Sequence, residues 1–113
     1  MRRMFVQLAT AGIFTSLAIL ILSSDLRAQS DVAKVYKTNC VLCHAADGSG
    51  SSASGKAMNA KDLKSQEAQE KSDAELAEFI TQGKGKMPAF AKKLKPDDIK
   101  GLVAYIREMP KKK

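Results

Sequence analysis

Apolar positions in the last three quarters of the chain recur at helical spacing, and no alternating run demands a strand. Ser30-Asp31 is a helix-start signal, and Val32, Val35 and Tyr36 fall at i, i+3 and i+4, which predicts a short helix leading into Cys40. Ser72-Asp73-Ala74-Glu75 has the form of a capping box, with Leu76, Phe79 and Ile80 on one face and Gly83 as the stop. Pro96 with Asp97 and Asp98 opens a final helix whose stripe is Ile99, Leu102, Val103 and Ile106, and Pro110 ends it. Residues 61–70 hold room for one more short helix. Between the first and later helices lies DGSGSSASG, Asp47 to Gly55, whose composition predicts a flexible surface loop and no helix. The pattern implies an all-α domain without internal repeats.

The N-terminal quarter follows a different rule. Met1-Arg2-Arg3 is positive and Leu8 to Leu22 is uncharged and mostly apolar, so residues 1–28 read as a secretory signal peptide cut after Ala28. An uncleaved membrane anchor is the competing reading, with an apolar run somewhat shorter than the ~20 residues a spanning helix needs. No Cys follows the run, which removes lipid anchoring at that point. Residues 29–113 are then one domain exported to a bacterial periplasm. Of the 19 basic and 12 acidic residues, the signal takes Arg2, Arg3, Arg27 and Asp25, leaving 85 residues at net +5. A domain of that length with no Trp has little material for an ordinary core.

Cys40-Val41-Leu42-Cys43-His44 changes the picture, because C-x-x-C-H is the attachment signature of a c-type haem. Two thiols one turn apart can add to porphyrin vinyl groups as thioethers, and the next side chain, an imidazole, can reach the iron. A thioredoxin-type disulfide needs a βαβ setting, which is missing around Cys40. Zinc needs four ligands, and the chain holds no further Cys or His. A Cys40–Cys43 disulfide would close too small a loop to stabilise much. Covalently held haem would also complete the core, so the haem-free chain is expected to be poorly ordered.

His44 is the only histidine, so a second protein imidazole on the iron is excluded within one molecule. Methionine is the natural second ligand, since thioether opposite His raises the reduction potential. Residues 29–113 contain Met58, Met87 and Met109. Met87 is favoured because it lies in Gly83-Lys84-Gly85-Lys86-Met87-Pro88-Ala89-Phe90, a Gly/Pro-bounded stretch between two helices. Met58 follows the Ser/Gly loop and Met109 ends a helix, where core filling is the ordinary role. A lysine or water as sixth ligand stays open.

CVLCH, GKMPAF some forty residues later and a C-terminal LVAYIRE together resemble the class I monohaem cytochromes c, especially the small bacterial types, over about residues 31–109. The resemblance implies a few short helices wrapped around one haem, thioethers at Cys40 and Cys43, and iron ligation by His44 and Met87. It implies that the first and last helices cross, Val32 and Tyr36 meeting Leu102 and Tyr105. Two departures stand out. Many members carry Gly where this chain has Val32, and many have a Gly-Pro-x-Leu element whose proline carbonyl orients the proximal imidazole. Here the stretch is Asn59-Ala60-Lys61-Asp62-Leu63, and a backbone carbonyl from it is expected to accept that bond.

The function expected is a soluble one-electron carrier, a monomer and not an enzyme, shuttling between periplasmic or membrane redox complexes. The alternative is a haem enzyme or sensor that binds a small molecule at a labile sixth position. One C-x-x-C-H excludes a self-contained dihaem peroxidase. Lys84, Lys86, Lys92, Lys93 and Lys95 flank the proposed distal ligand, which suits redox partners with acidic docking sites. Nucleic acid has no recognisable binding motif here.

Overall fold

The structure is a computed structural model and describes residues 28–29 and 31–110. The signal-peptide and cleavage readings for residues 1–28 therefore lie, apart from Ala28, outside the described residues, as does Ser30. The helix predicted before Cys40, α1, runs over 31–39. It is followed by α2, Val41–His44; α3, Ala53–Met58; α4, Gln66–Gln69; α5, Asp73–Gln82; and α6, Pro96–Glu108. Among the described residues the only β pairing is an isolated bridge, Lys84 to Met87.

Each boundary has a chemical cause. At α5 the Ser72 hydroxyl accepts from the Glu75 N–H and the Glu75 carboxylate accepts from the Ser72 N–H, the reciprocal box read from the sequence. Gly83 ends α5 at φ 72°, a conformation that disfavours a side chain. Pro96 starts α6, where its missing N–H costs nothing, and Asp98 accepts from the Lys95 N–H. The stretch read as a helix-free loop needs correction. Ser52 accepts from the Gly55 N–H and caps α3, so its last residues are helical. A Ser/Gly-rich composition hid an N-cap, since serine favours caps as strongly as turns. The short helix placed within 61–70 is α4, capped by Ser65.

The core gathers Tyr36, Leu76, Ile80, Phe90, Ile99, Leu102, Val103, Ile106 and Met109. All four residues of the α6 stripe are in it, each contributing about 1.5–3 kcal/mol by leaving water. Phe79 is half-buried on α5, with the Lys84 ammonium 4.6 Å from its ring centroid. Where α1 meets α6, the Tyr36 and Tyr105 rings meet at a 40° tilt with centroids 5.1 Å apart, as the resemblance implied. Val32 meets Gly101: a Cβ there would come within 2.6 Å of the valine's Cγ2. Close approach needs a small residue on one helix only, and here it stands on the last. Arg107 then ties α6 to the start of α5. Its guanidinium donates to Asp73 Oδ1 at 3.0 Å and to the Gln69 carbonyl at 2.8 Å, and also to the Lys71 carbonyl.

Candidate functional site

Cys40 closes α1 through its N–H to the Tyr36 carbonyl at 2.9 Å, and its own carbonyl accepts from the His44 N–H at 2.8 Å. One tight turn thus carries both thiols and the imidazole. The thiols are free and half-buried. Burial, and then the neighbouring Cys43, push the Cys40 thiol up to about 11. Redox-active C-x-x-C pairs show the opposite direction, and the helical turn here follows no strand.

His44 Nδ1 lies 3.0 Å from the Lys61 carbonyl oxygen. A carbonyl can only accept, so Nδ1 carries the proton and Nε2 keeps its lone pair for a metal. The carbonyl expected from the 59–63 stretch is therefore that of Lys61. Around the ring the backbone is held at several points. The Gly50 N–H donates to the His44 carbonyl at 2.8 Å, and the Ser52 hydroxyl donates to the Leu42 carbonyl at 2.7 Å. Gly55 presses on this turn: a Cβ there would overlap the Cys43 carbonyl and come within 2.5 Å of the Gly50 oxygen. Ala45 leaves α2 at φ 62°, an uncommon conformation for a residue with a Cβ, and its carbonyl accepts from the Tyr36 hydroxyl at 2.8 Å. Burial holds that phenol above its usual range.

The three methionines fall in different settings. Met109 is buried, its Sδ 2.5 Å from where a Gly48 Cβ would stand, so it fills core against the loop after His44. Met58 ends α3 and is 49% exposed. Met87 is half-buried against the core at the end of a four-residue turn. Lys84 and Met87 exchange both backbone bonds, at 3.0 and 3.1 Å, and Gly85 supplies φ 58°. The base of the loop is pinned to α5 by Phe90 N–H to the Ile80 carbonyl, 3.0 Å. Gly83 gives the room, since a Cβ there would lie 2.5 Å from the Met87 carbonyl oxygen. Lys86 reaches from this turn to the Ala57 carbonyl of α3 at 3.2 Å.

These groups fit a c-type haem. Two unbridged thiols and an imidazole with a free Nε2 leave one turn of chain, and a thioether side chain stands on a separately anchored loop. Among the described residues no cluster of three or more His, Cys, Asp or Glu side chains could hold a bare metal ion. Sequence reasoning did not single out the Lys61 carbonyl, because a backbone acceptor leaves no mark in residue type, nor the Gly55, Ser52 and Tyr36 contacts on the turn, because they are made across the fold.

Comparison with known proteins agrees. Residues 27–106 match the family model described as cytochrome C oxidase, cbb3-type, subunit III. The chain is similar to cytochrome c6 of Gloeothece citriformis, 38% identical over 80 residues, covering 70% of this chain and 69% of that protein. It is also similar to cytochrome c6 of Aphanizomenon flos-aquae, 39% identical over 80 residues, covering 67% and 84%. Among solved structures it resembles the KustC0563 c-type cytochrome at TM-score 0.64 and 33% identity, over 71% of this chain and 96% of that one. Turn, loop and likeness together place the chain in this family, as a small monohaem class I cytochrome c with one covalently attached c-type haem.

Proposed function

We propose that this cytochrome is a periplasmic one-electron shuttle whose haem is held by Cys40 and Cys43 and whose iron lies between His44 and Met87. That it is an electron carrier and not an enzyme, working with redox partners, follows from its family and its cytochrome c6 relatives. The residue assignments and the compartment are the finer reading. The observation that carries it is the His44–Lys61 bond, which fixes the imidazole tautomer with Nε2 free, one turn from two unbridged thiols. Cys40 and Cys43 would hold the haem as thioethers, each by addition of its S–H across a vinyl double bond, the sulfur to one carbon and the hydrogen to the other, which needs no oxidant. The haem iron supplies the one-electron couple.

Met87 is favoured as distal ligand because the other two candidates have other settings, one buried against Gly48 and one exposed at a helix end. Met87 in that place would fill the sixth position, which suits the carrier that the cytochrome c6 relatives support over a small-molecule sensor. Export with removal of residues 1–28 accounts for the charged and apolar N-terminal pattern. Among the described residues no helix is long and apolar enough to cross a membrane.

Lys84, Lys86, Lys92, Lys93 and Lys95 are all exposed, and two of them are fixed beside Met87 by the Phe79 ring and the Ala57 carbonyl. Exposed lysines flanking the proposed distal ligand support acidic docking sites on the partners, which raise the rate of encounter and lose that advantage in salt. The visible and near-infrared spectrum of the exported protein tests the reading. A c-type band pattern with sulfur-to-iron absorption in the oxidised state, lost in Met87→Ala, is expected. An unchanged spectrum in that variant would remove the distal assignment.

A further inference from the structure

A proline at position 61 would fix its own φ near −65° and so remove one of the two torsions that aim its carbonyl at His44. Lysine stands there instead, in Ala60-Lys61-Asp62-Leu63, and leaves that torsion free. The chain constrains the carbonyl from both sides. Upstream, the Ala60 N–H donates to the Gly55 carbonyl at 2.8 Å; downstream, the Leu63 N–H donates to the Gly48 carbonyl at 2.8 Å. One residue further, Lys64 Nζ lies 3.3 Å from Asp47 Oδ2. The segment carrying the acceptor is thereby fastened to the segment that leaves His44.

We propose that the Asp47–Lys64 ion pair is a positioning device that holds the Lys61 carbonyl on the His44 ring and so helps set the reduction potential. The inference rests on the reading of His44 as an iron ligand. Exposed ion pairs usually contribute little because two mobile chains must be ordered. This pair is ordered beforehand. The Lys64 side chain is only 18% exposed, lying in a hollow lined by Ala46, Tyr105, Glu108 and Met109. Asp47 is oriented by the Ser49 N–H at 3.0 Å and the Ser49 hydroxyl at 2.6 Å. The Lys64 N–H donates to Asp62 Oδ1 at 2.9 Å, which stiffens the segment between carbonyl and ammonium.

The sign of the effect separates positioning from simple charge. A firm N–H···O=C bond makes the imidazole more basic, favours the oxidised iron and lowers the potential. Loosening the segment weakens that bond whichever partner is removed, so Asp47→Asn and Lys64→Met both raise the potential. A through-space field acts otherwise: losing the carboxylate raises the potential and losing the ammonium lowers it.

The test is the potential of the holoprotein, with NMR of the axial histidine. Each single variant is expected to favour reduction about threefold, about 28 mV at 59 mV per tenfold for one electron. Exchange of the His44 Nδ1 proton with solvent should quicken in both. The double variant should shift no further than either single one, because the pair acts as a unit. Lys64→Arg, which keeps the pair, should match the unmutated protein, and Lys64→Gln, which also removes the ammonium, carries the sign test if Lys64→Met fails to fold. Shifts of opposite sign, or unmoved potentials and exchange rates, overturn the inference. Absence of axial-histidine resonances in the unmutated protein removes the ligand reading itself, and the inference with it.

Discussion

The two sides of the proposed haem site are built on opposite plans. On the His44 side, α2 is gripped by its surroundings through the Tyr36, Gly50, Ser52 and Lys61 bonds, and Gly55 packs directly on its carbonyls. On the Met87 side a single four-residue turn closes on itself through two backbone bonds, hangs from α5 by the Phe90 and Ala91 N–H groups, and is touched otherwise by long lysine side chains, Lys84 on the Phe79 ring and Lys86 on the Ala57 carbonyl. Two thiols and a metal ligand on one turn must meet one rigid macrocycle in register, which asks for a backbone with no latitude. A thioether ligand needs only reach and a flexible, polarizable side chain. The difference teaches that covalent attachment would rest on the His44 side alone, whereas the potential would answer to both sides, through the Lys61–His44 bond on one and the Met87 thioether on the other.

Removing the thiols should have the largest effect. Cys40→Ala/Cys43→Ala is expected to yield chain from which acidified organic solvent extracts all haem, whereas the unmutated protein should retain it. The haem-free chain should lack a cooperative thermal transition, since a domain this small without its cofactor has too little apolar mass. Holo-like helicity and cooperative melting in the double variant would contradict this.

Gly55→Ala tests the tightness of the His44 side. Its Cβ would overlap the Cys43 carbonyl and meet the Gly50 oxygen and Ser52 Oγ, at 2.5 and 2.9 Å, two of them backbone atoms that cannot swing aside. The expected cost is about 1–3 kcal/mol, read from denaturant unfolding, together with a lower yield of covalently loaded protein. A melting curve like the unmutated protein's would show that α3 can slide off α2, and the contrast between the two sides would lose its basis.

The methionines break the comparison from the other side. Met87→Ala should keep its haem covalently, lose the sulfur-to-iron absorption and acquire a lower potential. Met109→Ala should do the reverse, costing about 2–5 kcal/mol of stability by leaving a cavity against Gly48, with spectrum and potential nearly unchanged. Met58→Ala, at an exposed helix end, should move neither.

How far the sequence alone carries can be judged on the same two sides. The α5 capping box, the α6 stripe and the Gly83 stop were all legible, because capping and periodicity are local and each residue type has one physical role at its position. The C-x-x-C-H turn and the Met87 loop were legible for the same reason. What escaped was non-local. Helix α3 begins inside a run of Ser and Gly whose composition is that of a loop; Ser52 caps it locally, but the need for Gly55 comes from the distant Cys43 carbonyl it packs on. The glycine at the helix crossing was sought at Val32 and stands at Gly101, since either partner of a contact can supply the space. Lys61 acts through its carbonyl, and a main-chain acceptor is the same in every residue.

The smallest effect concerns acid. The Ser49 hydroxyl and N–H, and less strongly Lys64, hold the Asp47 carboxyl down at about 2 from its usual 3.8. A depressed folded-state value means that the unfolded chain binds this proton first, so the contribution is fully present above about pH 4 and is lost as pH falls through about 2. Asp47→Asn removes it. The stability gap between the unmutated protein and Asp47→Asn should therefore be constant at neutral pH and close between pH ~4 and ~2. Glu75, also held down by Ser72, titrates equally in both proteins and cancels in the difference. Residues 83–90 contain no carboxylate, so the sulfur-to-iron absorption should be the same in both proteins through this window. A gap that stays open at pH 2 would mean that Asp47 acts through packing and not charge. Loss of that absorption in the same window, in step with the gap, would mean that the two sides of the site are coupled, and the separation drawn between them would not hold.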